Sequence, residues 1–409
     1  MPWYLYLALK QLFPTGKRVS LFFIIAVCGV MLGVMLLVIV QSVMGGFGRI
    51  YRDKIIETNG HIRIETGEVM YDYENMLNFL SARKEVAAAS PYAHGVVMLQ
   101  HKDRPAFPAI RSIDVNGENP VVPIANYIIL GGVDDLDDDS VLLSSNLASS
   151  IGAALHSTVE VYTPLIIDKL TEDEVLLPRE LKVVGIYETG WEEFDSNTMI
   201  ATLRLMQELY NLSSGVHGVA VRLNPGYDEE EVASMIREEI LPPNETMTWL
   251  DMYAGLLWIL KLEKNMQFFL LLFIVIVAAF AIANAQLLTV IRKTREIGLL
   301  GALGGQPRQL IACYCFQGLF IGVLGTLLGI IVGLIALHFR NDIIHGFAKL
   351  TNSEEWLIKF YQFAELPVYY TSSDFIAISI SALILTTLAG LLPAWHAARM
   401  KPAEALRNE

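Results

Sequence analysis

The chain has 409 residues, of which 53% are hydrophobic and 18% charged, with a formal net charge of −13. Soluble domains carry closer to a quarter of charged residues, so the composition points to a membrane, and the acidic balance excludes a nucleic-acid partner, whose phosphates require a basic face. The three cysteines, Cys28, Cys313 and Cys315, all lie in apolar windows and offer neither a disulfide framework nor metal-ligand spacing.

In chain order, residues 1–18 form an amphipathic N-terminal segment, expected on the cytoplasmic side. Residues 19–48 follow as the first of four windows without Asp, Glu, Lys or Arg; the others are 265–291, 309–337 and 375–395. Each can supply the roughly 20 apolar residues that cross a bilayer. The first window is too long for a signal h-region and no A-x-A site follows it, so it is expected to be a retained anchor. The expected fold class is therefore a membrane protein of four transmembrane α-helices, with a large α+β domain outside the membrane between the first two.

That domain is residues 49–264. "HIRIET" (61–66), "GVVMLQ" (95–100), "AFPAIRSIDV" (106–115), "STVEVYT" (157–163), "LKVVGIYE" (181–188) and "GVAVRL" (218–223) alternate or are β-rich, as strands do. "YENMLNFLSARK" (73–84), "SSNLASSIGAAL" (144–155), "ATLRLMQELY" (201–210) and "DEEEVASMIREEI" (228–240) repeat apolar residues at three and four. The acidic runs "DDLDDDS" (134–140) and "PGYDEEE" (225–231) are expected to be solvated loops. After Pro243 the pattern turns helical and is expected to run unbroken into the second span as a stalk.

Charge orients the whole. The N-terminal segment, the 292–308 loop and the 396–409 tail together carry +7, whereas residues 44–265 carry −18 and the 338–374 loop −2. The positive-inside rule puts both termini and the 292–308 loop in the cytoplasm. Arg49, Arg52 and Lys54, just outside the first span, oppose this weakly.

Glycines at 318, 322, 325, 329 and 333 share one face of the third span. Such a face allows close backbone approach, either within the chain or between two copies. No G-x-x-x-x-G-K-[ST], H-E-x-x-H or G-x-S-x-G is present, and no charged residue lies within a span to serve an ion path. No catalytic or metal site is expected, and any work the chain performs draws its energy from a partner.

That gives the stretch "REIGLLGALGGQPRQL" (295–310) its meaning. Ile297, Leu300 and Leu303 are expected on one side of a short helix, Gly304-Gly305 can end it, and Pro307 suits the first turn of the next. The segment either lies on lipid or fits a groove on a soluble partner.

"IRKTREIGLLGALGGQPRQLIACYCFQGLFIGVLGTLLG" (291–329), "LLPAWHAARMKPAEALR" (391–407), "VVGIYETGWEEFDSNTMIATLRLMQELY" (183–210) and "LKLEKNMQFFLLLFIVIVAAFAIANAQL" (260–287) resemble the permease subunits of lipoprotein-releasing (Lol-type) ABC transporters, nearly end to end. The cytoplasmic motif and tail are shared with macrolide-exporter (MacB-type) and cell-division (FtsX-type) permeases. The "GIYETG…EEFDS" block and "LEK" point to the lipoprotein-releasing branch.

The resemblance implies an inner-membrane location with the 49–264 domain in the periplasm. It implies two copies of a separate ABC ATPase, which holds ATP and Mg while this chain binds no cofactor, and a second permease, identical or paralogous. The 294–304 helix would couple to the ATPase through Arg295, Glu296, Leu299, Leu303, Gly304, Pro307 and Arg308. Acyl chains of a lipoprotein cargo would leave the membrane lipid through a cavity between the first and second spans. Its matching positions are Val40, Met44, Phe47, Met266, Phe269 and Leu270, although lipid-facing packing accounts for them equally well. A periplasmic lipoprotein carrier would be captured by a hairpin at 163–182, with Pro164, Leu165, Asp168, Pro178 and Arg179; its acidic character departs from the family pattern. The alternatives are an exporter permease for small amphiphiles or peptides, and a signalling scaffold that regulates a cell-wall hydrolase.

Overall fold

The computed structural model describes residues 2–13, 21–113, 120–163, 178–351 and 366–399. It divides into two units, Met1–Arg49 with Ile259–Glu409, and Ile50–Trp258.

Helix α1 (Trp3–Leu12) precedes α2 (Leu21–Asn59). The second helix does not stop where its uncharged window ends at residue 48, because the following "RIYRDKIIETN" keeps helical spacing and buries Ile55 and Ile56. Gly60 ends it with φ +80°, where a Cβ would sit 2.9 Å from both Val121 and the Val221 carbonyl.

The Ile50–Trp258 unit holds two sheets. Its elements are β1 (Ile62–Met70), α3 (Tyr73–Ser81), β2 (Val86–Tyr92), β3 (His94–Val96), β4 (Met98–His101), β5 (Arg104–Ala106), β6 (Ala109–Ile113), a 3-10 turn, β7 (Ile128–Gly131), β8 (Ser140–Ser144), α4 (Ser145–Ile151), β9 (Thr158–Tyr162), β10 (Arg179–Tyr187), α5 (Glu192–Asp195), β11 (Thr198–Thr202), α6 (Leu203–Leu209), β12 (Val216–Leu223), α7 (Glu229–Glu239), β13 (Glu245–Thr248) and α8 (Trp249–Met252). The smaller sheet runs β13-β1-β12-β2, antiparallel throughout. Ile62 and Ile64 of β1 and Val219 and Val221 of β12 point into one core with Leu80 of α3 and Ile236 of α7. The period-two pattern of these strands puts Arg63 and Glu65 on the opposite face.

The larger sheet runs β3-β6-β11-β8-β10-β9-β4-β5, with β7 on β10. The pairs β6–β11 and β8–β10 are parallel, the remainder antiparallel. One face packs on α4 and α6 through Leu147, Ile151, Leu205 and Met206. All six expected strand segments and all four expected helices are present. The strands β2, β5, β7, β8, β11 and β13 were not expected; β5, β7 and β13 have only three or four residues, and β8 follows the acidic run 134–140.

The passage after Pro243 corrects the expectation of an unbroken stalk. Glu245–Thr248 pairs with β1 as a strand. Thr248 then caps α8, accepting from Asp251 N–H at 3.3 Å while the Asp251 carboxylate accepts from Thr248 N–H at 2.9 Å. Only after a break at Tyr253 does α9 (Ala254–Arg292) begin.

Beyond it lie α10 (Thr294–Ala302), α11 (Pro307–His338), α12 (Arg340–Thr351), α13 (Ser372–Ala389) and α14 (Leu391–Ala398). Among the described residues four helical stretches are long and apolar enough to cross a membrane: Phe23–Asn59, Ala254–Arg292, Pro307–His338 and Ser372–Ala398. Within the membrane unit α9 runs antiparallel to α2. The Cβ that Gly29 lacks would touch Ala278, that of Gly33 would lie 3.0 Å from Val275, and Gln41 Nε2 donates to the Lys264 carbonyl at 3.2 Å.

The glycine face of α11 resolves the choice left open by its spacing, in favour of packing within the chain. Gly325, Gly329 and Gly333 receive Val30, Val34 and Val38 of α2 in step, and a Cβ at Gly329 would lie 2.8 Å from the Met31 carbonyl. Gly318 and Gly322 face Thr386 of α13, with a Cβ at Gly318 falling 2.3 Å from its carbonyl. Two neighbouring helices thus use up the whole face.

Candidate functional site

The apolar span of α9 ends at Arg292, and the chain turns at Lys293, whose N–H reaches the Thr289 and Val290 carbonyls at 3.0 and 3.2 Å. Thr294 donates its hydroxyl to the Ile291 carbonyl at 2.7 Å, which leaves α10 set off from α9 by a single non-helical residue. At the other end Gly304, φ +96°, closes the helix in the left-handed conformation that glycine tolerates. A Cβ on Gly305 would meet the Leu300 carbonyl at 2.8 Å. Gln306 and Gln309 cap α11, and Pro307 occupies its first turn.

Ile297, 3% exposed, pins α10 into a cluster of Val290, Leu310, Tyr314, Ala394 and Ala397. The last two come from α14, whose small residues let it lie close to α11; a Cβ on Gly390 would fall 2.6 Å from the Tyr314 carbonyl. The sequence singled out this tail by resemblance alone; its part in the floor beneath α10 needed the fold. Ile297 was seen as apolar but not as the anchor.

The outward face carries every residue expected to couple. Arg295, Glu296, Leu299, Leu303, Gly304, Pro307 and Arg308 are all exposed. One expectation is corrected: Leu303 does not share the buried side with Ile297. The helix ends at Ala302, Leu303 is its C-cap, and it stands 78% exposed beside Leu299 at 54%. The Leu303 N–H still reaches the Leu299 carbonyl at 3.0 Å, so four residues on it keeps to the exposed side of Leu299 and not to that of Ile297. Glu296 is paired with Lys293 at 3.1 Å, and the exposed Arg295 and Arg308 precede and follow the two leucines in the chain. The arrangement is a rigidly seated apolar knob with a basic rim, suited to an apolar groove with acidic edges.

The second expected site lies along α2 and α9. Ile39 and Val43 of α2 and Phe268 and Leu271 of α9 are partly buried against the bundle core. Met266, Phe269 and Leu270 lie on another face, 56%, 62% and 64% exposed, and continue through Phe273, Val277 and Phe280 as one bare stripe. Among the described residues the three expected positions on α9 form an open apolar wall, and the three on α2, Val40, Met44 and Phe47, are half-buried. Of the expected carrier hairpin, residues 164–177, including Pro164, Leu165 and Asp168, lie outside the described residues. Pro178 is half-buried, and Arg179 opens β10 and pairs with Asp139 at 2.6 Å.

The MacB-like periplasmic core domain model matches residues 23–239 and the FtsX-like permease C-terminal model residues 268–402. The lipoprotein-releasing system transmembrane protein LolC of Xylella fastidiosa strain Temecula1 is 30% identical over 94% of this chain and 93% of its own length. This chain belongs to the LolC family of lipoprotein-releasing permeases. LolC of Neisseria meningitidis is 28% identical over 94% of each chain, and LolE of Haemophilus influenzae 21% identical over 93% of this chain and 92% of its own. The periplasmic region of MacB from Actinobacillus actinomycetemcomitans aligns with 49% of this LolC-family chain and 93% of that one, at 13% identity and a TM-score of 0.34. The chain is a membrane protein with a MacB-like periplasmic core domain, of a family of permease subunits.

Proposed function

We propose that this chain is the permease subunit of an ABC transporter that extracts lipoproteins from the outer leaflet of the inner membrane and passes them to a periplasmic carrier. Family membership over 94% of the chain is the observation that carries the reading. The energy comes from a separate ATPase in two copies, holding ATP and Mg, which docks on Leu299 and Leu303 between Arg295 and Arg308. The basic N-terminal segment, 292–308 loop and tail support a cytoplasmic face for all three. A second permease, identical or paralogous, stands against the bare stripe of α9, so that Met266, Phe269 and Leu270 gain the opposite wall that one chain lacks. Apolar walls suit the task, because each acyl CH₂ moved between apolar surroundings and water is worth roughly 0.8 kcal/mol.

The test is purification of the full chain from native membranes in mild detergent, with identification of what accompanies it. An ABC ATPase together with triacylated protein is the expected result. Recovery of an ATPase with no acylated protein, from membranes rich in lipoprotein, would overturn the substrate class.

A further inference from the structure

On the face of the smaller sheet turned away from its core, two arginines converge with no ion-paired carboxylate among the described residues. Arg63 of β1 donates from Nη2 to Asn59 Oδ1 at 2.5 Å, and Arg111 of β6 donates from Nη1 to the same oxygen at 2.7 Å. One neutral amide oxygen therefore serves two cations. Arg63 Nε is buried with no hydrogen-bond partner among the described residues. No ion pair among the described residues involves either guanidinium. The other contacts of the two are aromatic or phenolic: Arg63 lies 4.8 Å over the Tyr92 ring, and Arg111 5.4 Å over that of Phe194 while bonding the Tyr253 side chain.

Two nearby features temper this charge without cancelling it. Glu65 shares the face but is engaged by the Tyr92 hydroxyl. Asn59 is the last residue of α2, and a helix C-terminus offers about half a negative charge. Burial lowers the Arg111 pKa below its ordinary value, and Arg63 adds to the shift, as expected for like charges held together out of water. His94 beside them is held down to about 4 by burial first and then by His217, so it is neutral near pH 7 and the positive charge of the cleft rests on the two arginines.

Between the arginines lies a cleft with about 40 Å³ of interior volume, lined also by Thr58, Asn59, Tyr92 and His94. A single water needs roughly 10–15 Å³ by this measure, so there is room for one phosphate-sized group. The donors approach from two strands in different sheets, which suits a tetrahedral oxyanion better than a planar carboxylate. Guanidinium forks bind such oxygens two at a time.

We propose that this cleft is an oxyanion site, in which Arg63 and Arg111 clamp a phosphate group. The same chemistry is offered by free inorganic phosphate and by a phospholipid headgroup. The site is separate from the apolar surfaces assigned to cargo and ATPase and does not rest on that assignment.

The experiment uses the full chain in a phosphate-free sugar detergent and reads its thermal midpoint at constant ionic strength. Chloride is exchanged for inorganic phosphate in one arm. In the other, the micelles are doped with short-chain phosphatidylglycerol or with the matching diacylglycerol, which lacks the phosphate. The midpoint is expected to rise with at least one phosphate source and not with chloride or diacylglycerol. A response to inorganic phosphate identifies the free anion, and a response to phosphatidylglycerol alone identifies the headgroup. Arg63→Gln is expected to weaken the response about tenfold or more, since a charge-assisted bond is lost. Arg63→Lys, which keeps the charge but not the fork, is expected to weaken it less, and decides the matter should Arg63→Gln fail to accumulate. Equal midpoints in phosphate and chloride with no lipid effect, or wild-type affinity in Arg63→Lys and Arg63→Gln, would overturn the site.

Discussion

Two faces of the membrane unit are built to opposite rules. Along α11, Gly325 and Gly329 accept Val30 and Val34 so closely that no Cβ fits without a shift, and Gly333 leaves Val38 only a tight contact. Along α9, Met266, Phe269, Leu270, Phe273, Val277 and Phe280 carry large side chains that are more than half exposed. Both faces are apolar, so hydropathy alone does not distinguish them. Backbone approach does: small residues join helices that must keep a fixed distance, and large flexible ones coat a surface that something else will cover. The exposed knob of α10 follows the second rule at the membrane edge, seated on the first.

The sharpest break is at the tight face. Gly329→Leu would push a side chain against the Met31 carbonyl and Val34, and overpacking of this kind costs about 1–3 kcal/mol or more. The expected outcome is a large loss of folded protein in detergent, measured by thermal unfolding, with Phe273→Leu on the open stripe near wild type. If both substitutions cost the same, the contrast between the faces is wrong.

Next comes the knob. Leu303→Arg leaves Ile297 in its floor and Gly304 in its turn, so the chain should insert and fold as before. A charge in place of the exposed leucine should lower ATPase co-purification about tenfold, in line with the 1 kcal/mol or more at which interface anchors are usually lost. Wild-type recovery of the ATPase would leave α10 as a helix that merely lies on lipid.

The open wall is tested by Met44→Asp combined with Phe269→Asp. Photo-crosslinking from positions 44 and 269 to a lipoprotein should give adducts in the parent chain, and the double variant should lose lipoprotein binding while keeping its ATPase. Both positions lie within a few residues of an end of the uncharged windows 19–48 and 265–291, where a charge can reach water. No adduct at either position in an active transporter removes the wall from the cargo path.

The smallest effect is expected where the helices meet through charge. Lys264 and Asp374 are paired at 2.7 Å, tying the outer part of α9 to the start of α13, and both side chains are partly exposed. Asp374→Asn should cost only about 0–1 kcal/mol, as partly solvated pairs do. A larger loss in the thermal midpoint would show that the bare stripe of α9 is held in place by this tie more than by the glycine contacts behind it.

Much of this was legible in order along the chain. Uncharged windows place the four long helices because a bilayer admits no unpaired backbone polar groups and few charges. Alternation located β1, β9, β10 and β12, and Gly304 with Pro307 marked the end of one helix and the start of the next, because these are local consequences of φ/ψ preference and side-chain period. What the residues could not settle is which faces meet. The glycines of α11 are compatible with a second copy or with α2 and α13, and only the fold, bringing Val30 and Thr386 to them, decides. Leu303 follows Leu300 by three residues but Leu299 by four, and the fold, by burying Ile297, leaves the side of Leu299 and Leu303 outside. Arg63 and Arg111 lie 48 residues apart in unrelated strands, and nothing in either local sequence marks a pair. Spacing is a property of the chain, but convergence is a property of sheet register and of helices crossing, and so of tertiary structure alone.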